Sequence, residues 1–394
     1  MRLKFNAFYF VLYMSFGIIG PYQALYFSQK GFSGMQIGML IGIIPILSIL
    51  FQSVWSALSD FFQTRRLLLV VGCLGVSGSM VGVGLSTSFS ANFMFFMLYS
   101  IFLTPISPIG TALALDYLDE IKEPNNLSLI RVWGSVGFAF SSLVLGSLSM
   151  TQHLISFPWM IAGTYIILAV ICLVLRDSLT ITSQPDINKK QLFLLAESPS
   201  FMIFLVGMIF VGATIMIGSN FQTVFLLSLN ASSLLIGIVV ALPALLEIPM
   251  MMIAPKILKT ETLRWVIFTG LVLLPIRWGL LYLIQAPVWM ILAQILAAAA
   301  TISVEIASVS YIDNIIPLQW RATGQGLFMT ATFGVGPGIG NFIAGNILDG
   351  YGARAIWGFN LVLGIIGLGL VFLALWIFSR PAEEFRFESN KVTD

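Results

Sequence analysis

Charge is what this sequence has least of. Of 394 residues only 9% are Asp, Glu, Lys or Arg and 58% are hydrophobic, against about 25% charged residues in an ordinary soluble protein. So little charge cannot clothe a water-soluble globule, and the composition is that of a chain crossing a lipid bilayer many times. Histidine occurs once, at His153, and cysteine twice, at Cys73 and Cys172, too few for a metal cluster or a disulfide framework. The sequence has no His-Glu-x-x-His, no Gly-x-Ser-x-Gly and no long polar stretch to house a catalytic or output domain. An enzyme within the membrane is therefore the weaker alternative, and neither cofactor nor metal is called for. A net charge of +2 offers nucleic acid no basic surface.

What is present is a succession of apolar runs. Spanning the hydrocarbon takes about 20 helical residues. Windows of that length, cut at polar or Gly/Pro punctuation, predict twelve helices near 6–27, 34–58, 67–86, 92–118, 129–150, 157–175, 200–226, 233–255, 264–284, 287–313, 324–347 and 354–379. The first run follows Met1-Arg-Leu-Lys and continues for a full span without a small-residue cleavage site, so it reads as a helix rather than a signal peptide. The polar stretch 177–199 reads as a linker between an N-terminal bundle, 1–176, and a C-terminal bundle, 200–380, with 381–394 as a tail. With the N-terminus inside, fifteen of the nineteen basic residues fall on the cytoplasmic side and only Lys30 and Arg354 outside. Both termini are thus expected in the cytoplasm.

The two halves echo each other. Tyr22-Gln23-Ala-Leu-Tyr26 recurs as Phe221-Gln222-Thr-Val-Phe225, and Ile37-Gly38 before Pro45 recurs as Ile236-Gly237 before Pro243. Tyr117-Leu-Asp119 with Arg131 beyond it returns as Tyr311-Ile-Asp313 with Arg321. Matches in one order, about 190 to 200 residues apart, are what a duplicated six-helix unit leaves behind. The expected fold is all-α, with about twelve transmembrane helices in two pseudo-symmetric bundles.

Three ionisable residues lie inside apolar runs of the second half: Glu247, Arg277 and Glu305. An acid at a bilayer centre costs roughly 2.5–3.5 kcal/mol on insertion scales, and such residues usually face a bundle interior or a wet cavity. Removal of water favours the neutral carboxyl and a neighbouring cation favours the ionised one, so an acid between these influences can load and release a proton. The alternative is a permanent Glu305–Arg277 ion pair that only fixes helix packing. Gln23, Trp133, Phe138, Asn220, Gln222 and Tyr311 are further candidates to line a solute path, with ordinary packing as the competing reading of each. Glycines at 134, 137 and 146 and at 334, 336, 338, 340 and 345 suit close helix packing, and Pro337 predicts a kink in the eleventh span.

Asp60-Phe-Phe-Gln-Thr-Arg65-Arg66 resembles a degraded copy of the loop motif of the major facilitator superfamily, and Arg131-Val-Trp133-Gly134-Ser135-Val-Gly137-Phe138 is similar to the start of the fifth helix in the branch containing lactose permease, the phenylpropionate permease and the nucleoside/proton symporters. The resemblance runs over essentially the whole chain. It implies a secondary transporter that moves a small organic solute, a sugar, nucleoside or aromatic acid, across the bacterial inner membrane by proton symport with alternating access; a drug/proton antiporter is the variant. It further implies that Arg131 holds solute, with Asp116 near the position of its acidic partner, that Arg277 matches an arginine of proton handling, and that the protein is a monomer in the lipid bilayer. The His-x-x-Glu pattern of lactose permease is absent, with Leu296, Ala297 and Ala300 in that neighbourhood, which argues against lactose.

Overall fold

The structure is a computed structural model that describes residues 1–62, 64–123, 126–147, 154–177, 198–257, 262–316 and 320–377. His153, Pro124, Pro317, most of the linker and the 381–394 tail lie outside the described residues. Among the described residues twelve helices are long and apolar enough to cross a membrane: α1 (Arg2–Gln29), α2 (Gly34–Ser59), α3 (Arg65–Leu85), α4 (Phe89–Glu120), α5 (Leu127–Gly146), α6 (Leu154–Val174), α7 (Pro199–Ser228), α8 (Ser233–Met250), α9 (Leu263–Leu283), α10 (Pro287–Ile315), α11 (Thr323–Tyr351) and α12 (Ala353–Trp376). No strand occurs among the described residues. Lipid offers no partner to a free backbone N–H or C=O, so each span must satisfy its own, and helices do that.

Where proline breaks this rule, neighbouring helices repair it. Pro105 interrupts α4 between Leu103 and Ile106 and cannot donate to the Ile101 carbonyl four residues back. Trp55 Nε1 of α2 donates to that carbonyl instead, at 2.8 Å. Pro21 in α1 likewise frees the Gly17 carbonyl, which accepts from Ser142 Oγ of α5 at 3.3 Å. In α11, where a kink was expected, a π-helical segment, Thr330–Val335, lies directly before the turn that holds Pro337.

Helices α1–α6 pack among themselves and α7–α12 do the same, by equivalent pairings. The pair α1–α5 corresponds to α7–α11, α2–α4 to α8–α10, α3–α4 to α9–α10, and α3–α6 to α9–α12. The duplication read from the sequence is therefore a two-fold relation in space. Between the bundles the main contacts are α2–α11, α5–α8 and α1–α7, a set that the same operation maps onto itself.

These contacts gather at the end away from the N-terminus. There the Cα of Gly146 in α5 meets Gly237 in α8, and a Cβ built on Gly146 would lie 2.6 Å from that Cα. Thr223 of α7 donates its hydroxyl to the Pro21 carbonyl of α1. Gly34 and Gly345 press backbone to backbone between α2 and α11. The end distal to the N-terminus is thus closed by small residues, which let helix axes approach.

A polar site between the bundles

Arg131 lies one turn into α5 and is exposed. Its Nη2 donates to the Tyr13 hydroxyl at 3.3 Å, and the Tyr13 ring rests on Gly134, where a Cβ would come within 2.9 Å of it. One turn earlier on α1, the Tyr9 hydroxyl pairs with Thr111 Oγ1 of α4 at 3.0 Å. Spacing i, i+4 puts both phenols on one face of α1, directed toward the Arg131 charge.

Across the interface lie the two half-buried acids of the second bundle, Glu247 on α8 and Glu305 on α10. Glu305 is within electrostatic reach of both Glu247 and Arg131. Glu305, within reach of a second carboxylate and of one guanidinium, belongs to a group with one negative charge uncompensated when both acids are ionised. One proton removes it.

Arg277 does not join this group. It is buried in α9, with its guanidinium 4.3 Å over the Trp278 ring, and its Nη2 donates to Gln294 Oε1 of α10 at 3.2 Å. Gln294 Nε2 in turn donates to Gln222 Oε1 of α7 at 3.2 Å. No ion pair links Arg277 to Glu305 among the described residues. Asp116 also turns elsewhere, because its carboxylate pairs with Arg65 at the start of α3.

The amide candidates form their own chain at the closed end. Gln23 Nε2 donates to Asn220 Oδ1 at 3.0 Å, Asn220 Nδ2 to Asn341 Oδ1 at 3.0 Å, and Asn341 Nδ2 to the Pro337 carbonyl at 2.8 Å. All three are buried, and Gln23 Oε1 is without a partner. Trp133 is exposed, and with the Asn6 amide turned so that both its ends find partners, the Asn6 oxygen accepts from Trp133 Nε1 at 3.1 Å. Phe138 is half-buried on α5, its carbonyl accepting from the Ser141 and Ser142 hydroxyls. Tyr311 lies in the core of the second bundle against Phe204, ring centroids 5.6 Å apart.

Tyr9, Tyr13, Thr111 and Asn341 were not among the residues expected from the sequence. The two phenols carried a signal in their four-residue spacing, and Asn341 carried one as an amide in a glycine-rich span.

The sequence matches the MFS_1 like family over residues 2–359. The chain belongs to that family. As one of the MFS_1 like proteins it is an integral, multi-pass membrane protein and a secondary transporter of small molecules, not an enzyme. An uncharacterized transporter of Bacillus subtilis, YwbF, is 27% identical over 372 residues, covering 93% of this chain and 91% of its own. The maltose permease of Geobacillus stearothermophilus is 24% identical, covering 97% and 96%, and the xanthosine permease of Escherichia coli is 20% identical, covering 96% and 94%. Among solved structures, the nucleoside transporter NupG superposes with a TM-score of 0.84 at 18% identity, covering 96% of this chain and 99% of that one. A peptide transporter, POT, superposes with a TM-score of 0.72 at 13% identity, covering 95% and 93%. At such identities the likeness is one of fold, and it extends along the whole MFS_1 like chain.

Proposed function

We propose that the protein is a proton symporter that takes up a small hydroxylated solute, a sugar or a nucleoside, across the bacterial inner membrane. The observation that carries this reading is Glu305 within electrostatic reach of Arg131 in the other bundle and of Glu247 in its own. Guanidinium, phenols and carboxylates converging between otherwise apolar walls suit a solute with many hydroxyls. The maltose and xanthosine permeases among its relatives support the same class.

In this scheme the N-terminal bundle (1–176) and the C-terminal bundle (200–380) rock about a site near the midplane, joined by the 177–199 linker, and one monomer is complete. The excess of basic residues puts both termini in the cytoplasm. The closed end then faces outward, and the exposed Arg131 lies toward the cytoplasmic side. Glu305 loads a proton while the site is open to the outside and releases it while the site is open to the cytoplasm, where Arg131 compensates the carboxylate. Arg277, committed to Gln294 and Gln222, holds α7, α9 and α10 in register rather than carrying the proton.

The test is uptake into liposomes that enclose a pH-sensitive dye, with panels of sugars and nucleosides. Solute-dependent acidification is expected, abolished in Glu305→Gln. Uptake without acidification would refute the coupling, and acidification retained in Glu305→Gln would remove Glu305 from the proton's path.

A further inference from the structure

The first turn of α2 is capped from two sources. Ser33 and Gln36 form a reciprocal capping box: Ser33 Oγ accepts from the Gln36 N–H at 3.2 Å, and Gln36 Oε1 accepts from the Ser33 N–H at 3.1 Å. That leaves the N–H groups of Gly34 and Met35 without a partner on their own helix. Both are taken by the carboxylate of Asp349, from the far end of α11 in the other bundle: Oδ1 accepts from Gly34 at 2.5 Å and Oδ2 from Met35 at 2.8 Å. Gly34 is obligatory here, because a Cβ at this position would lie 2.3 Å from the Gly345 carbonyl and 2.9 Å from Asp349 itself.

From this we infer that Asp349 is a positioning residue of the transport cycle, an interbundle latch that sets the balance between the state closed at this end and the state open at it. The local capping box stays with α2 whichever way the bundles lie. The Asp349 cap exists only while α2 and α11 are together, since parting them returns both N–H groups and the carboxylate to water. A carboxylate at a helix N-terminus is favoured by the hydrogen bonds and the helix dipole together, so its stabilisation falls on one conformation alone. The inference presupposes that the bundles move relative to each other. It requires neither a particular solute nor proton coupling.

The experiment is a distance distribution between spin labels at Thr87→Cys and Tyr351→Cys, exposed positions at this end of the two bundles, in purified full-length protein without solute or gradient. Cys73 and Cys172 are fully buried and stay unlabelled. Asp349→Ala is expected to raise the ratio of long to short distances about tenfold or more, the equivalent of one charge-assisted hydrogen bond, and Asp349→Asn less, because one acceptor oxygen remains. Ser33→Ala, which removes only the local cap, is expected to leave the ratio unchanged. Gly345→Ala, which wedges the seam without touching the carboxylate, is expected to raise it. The same distribution in Asp349→Ala as in the parent protein would overturn the latch. So would a shift in Ser33→Ala as large as that in Asp349→Ala, since the cause would then be fraying of α2.

Discussion

Replacing Gly137 by alanine tests whether α1 and α5 are held by backbone contact. A Cβ at this position would lie 2.1 Å from the Phe10 carbonyl oxygen and 2.9 Å from its carbon, whereas real contacts of this kind begin near 3.0 Å. The helices must separate by close to an ångström, and no side chain is available to swing aside. Overpacking of this sort costs about 1–3 kcal/mol. Gly163 in α6 is the matched control, with nothing within 4 Å of its added Cβ, and there alanine contributes about 0.5–1 kcal/mol through helix propensity. At roughly 2–4 °C per kcal/mol for a unit of this size, Gly137→Ala should melt about 2–12 °C below the parent and Gly163→Ala at or slightly above it. The protein carries its own reporters for the measurement. Cys73 and Cys172 are both fully buried, in α3 and α6, so a fluorogenic maleimide reacts only as the first bundle opens. A melting point for Gly137→Ala equal to the parent's, or below it by no more than that of Gly163→Ala, would refute the backbone contact and with it the packing of α1 on α5.

Two further outcomes follow from charged groups. Asp116→Asn should lower stability by about 1–3 kcal/mol, because it replaces the charge-assisted Asp116–Arg65 pair with a neutral contact; it should leave solute affinity within a few-fold of the parent, while Arg131→Gln removes binding, and isothermal titration separates the two. Lys30 sits beyond the end of α1, where its amine donates to the Val83 carbonyl and to Asn92 Oδ1, each at 2.9 Å. Burial holds the Lys30 pKa below the ordinary lysine value of 10.5. Between that lowered pKa and 10.5 the folded protein binds fewer protons here than the unfolded chain, so this group makes stability rise with pH through that window. Melting curves across alkaline pH should show the rise in the parent and its loss in Lys30→Met.

The helices could be read from the sequence nearly to their ends. The run placed at 34–58 is Gly34–Ser59, and that placed at 264–284 is Leu263–Leu283. Hydrocarbon enforces one rule on every residue of a span, so hydropathy alone marks it out. An irregularity near Pro337 was legible because proline's missing N–H is a local property; the π-helical segment Thr330–Val335, which packs on α7, was not. Partners of the charged residues were far less legible. Asp116 was expected near Arg131 and meets Arg65; Arg277 was expected with Glu305 and meets Gln294. Each outcome depends on the rotation of one helix about its axis against another, which spacing within a single helix does not encode. The reach of Glu305 to Arg131 in the other half is of the same kind. Tyr9 and Tyr13 escaped notice because aromatic residues are ordinary in lipid, and only the hydroxyl partners supplied by Thr111 and Arg131 distinguish them.

Where α2 meets α11, Gly34, Gly38 and Gly42 lie opposite Gly338, Asn341 and Gly345, with Ile46, Ile49, Phe342 and Leu348 beside them. Glycine has no rotamers to freeze. An interface built from long side chains loses about 0.5–1.5 kcal/mol for each one it immobilises, a toll exacted at every closure and released at every opening. This seam is largely exempt, so shutting it demands little ordering and parting it returns little disorder. Side-chain ordering then adds little to the difference between the two conformations, and the balance at this end is left to the Asp349 carboxylate and the solute.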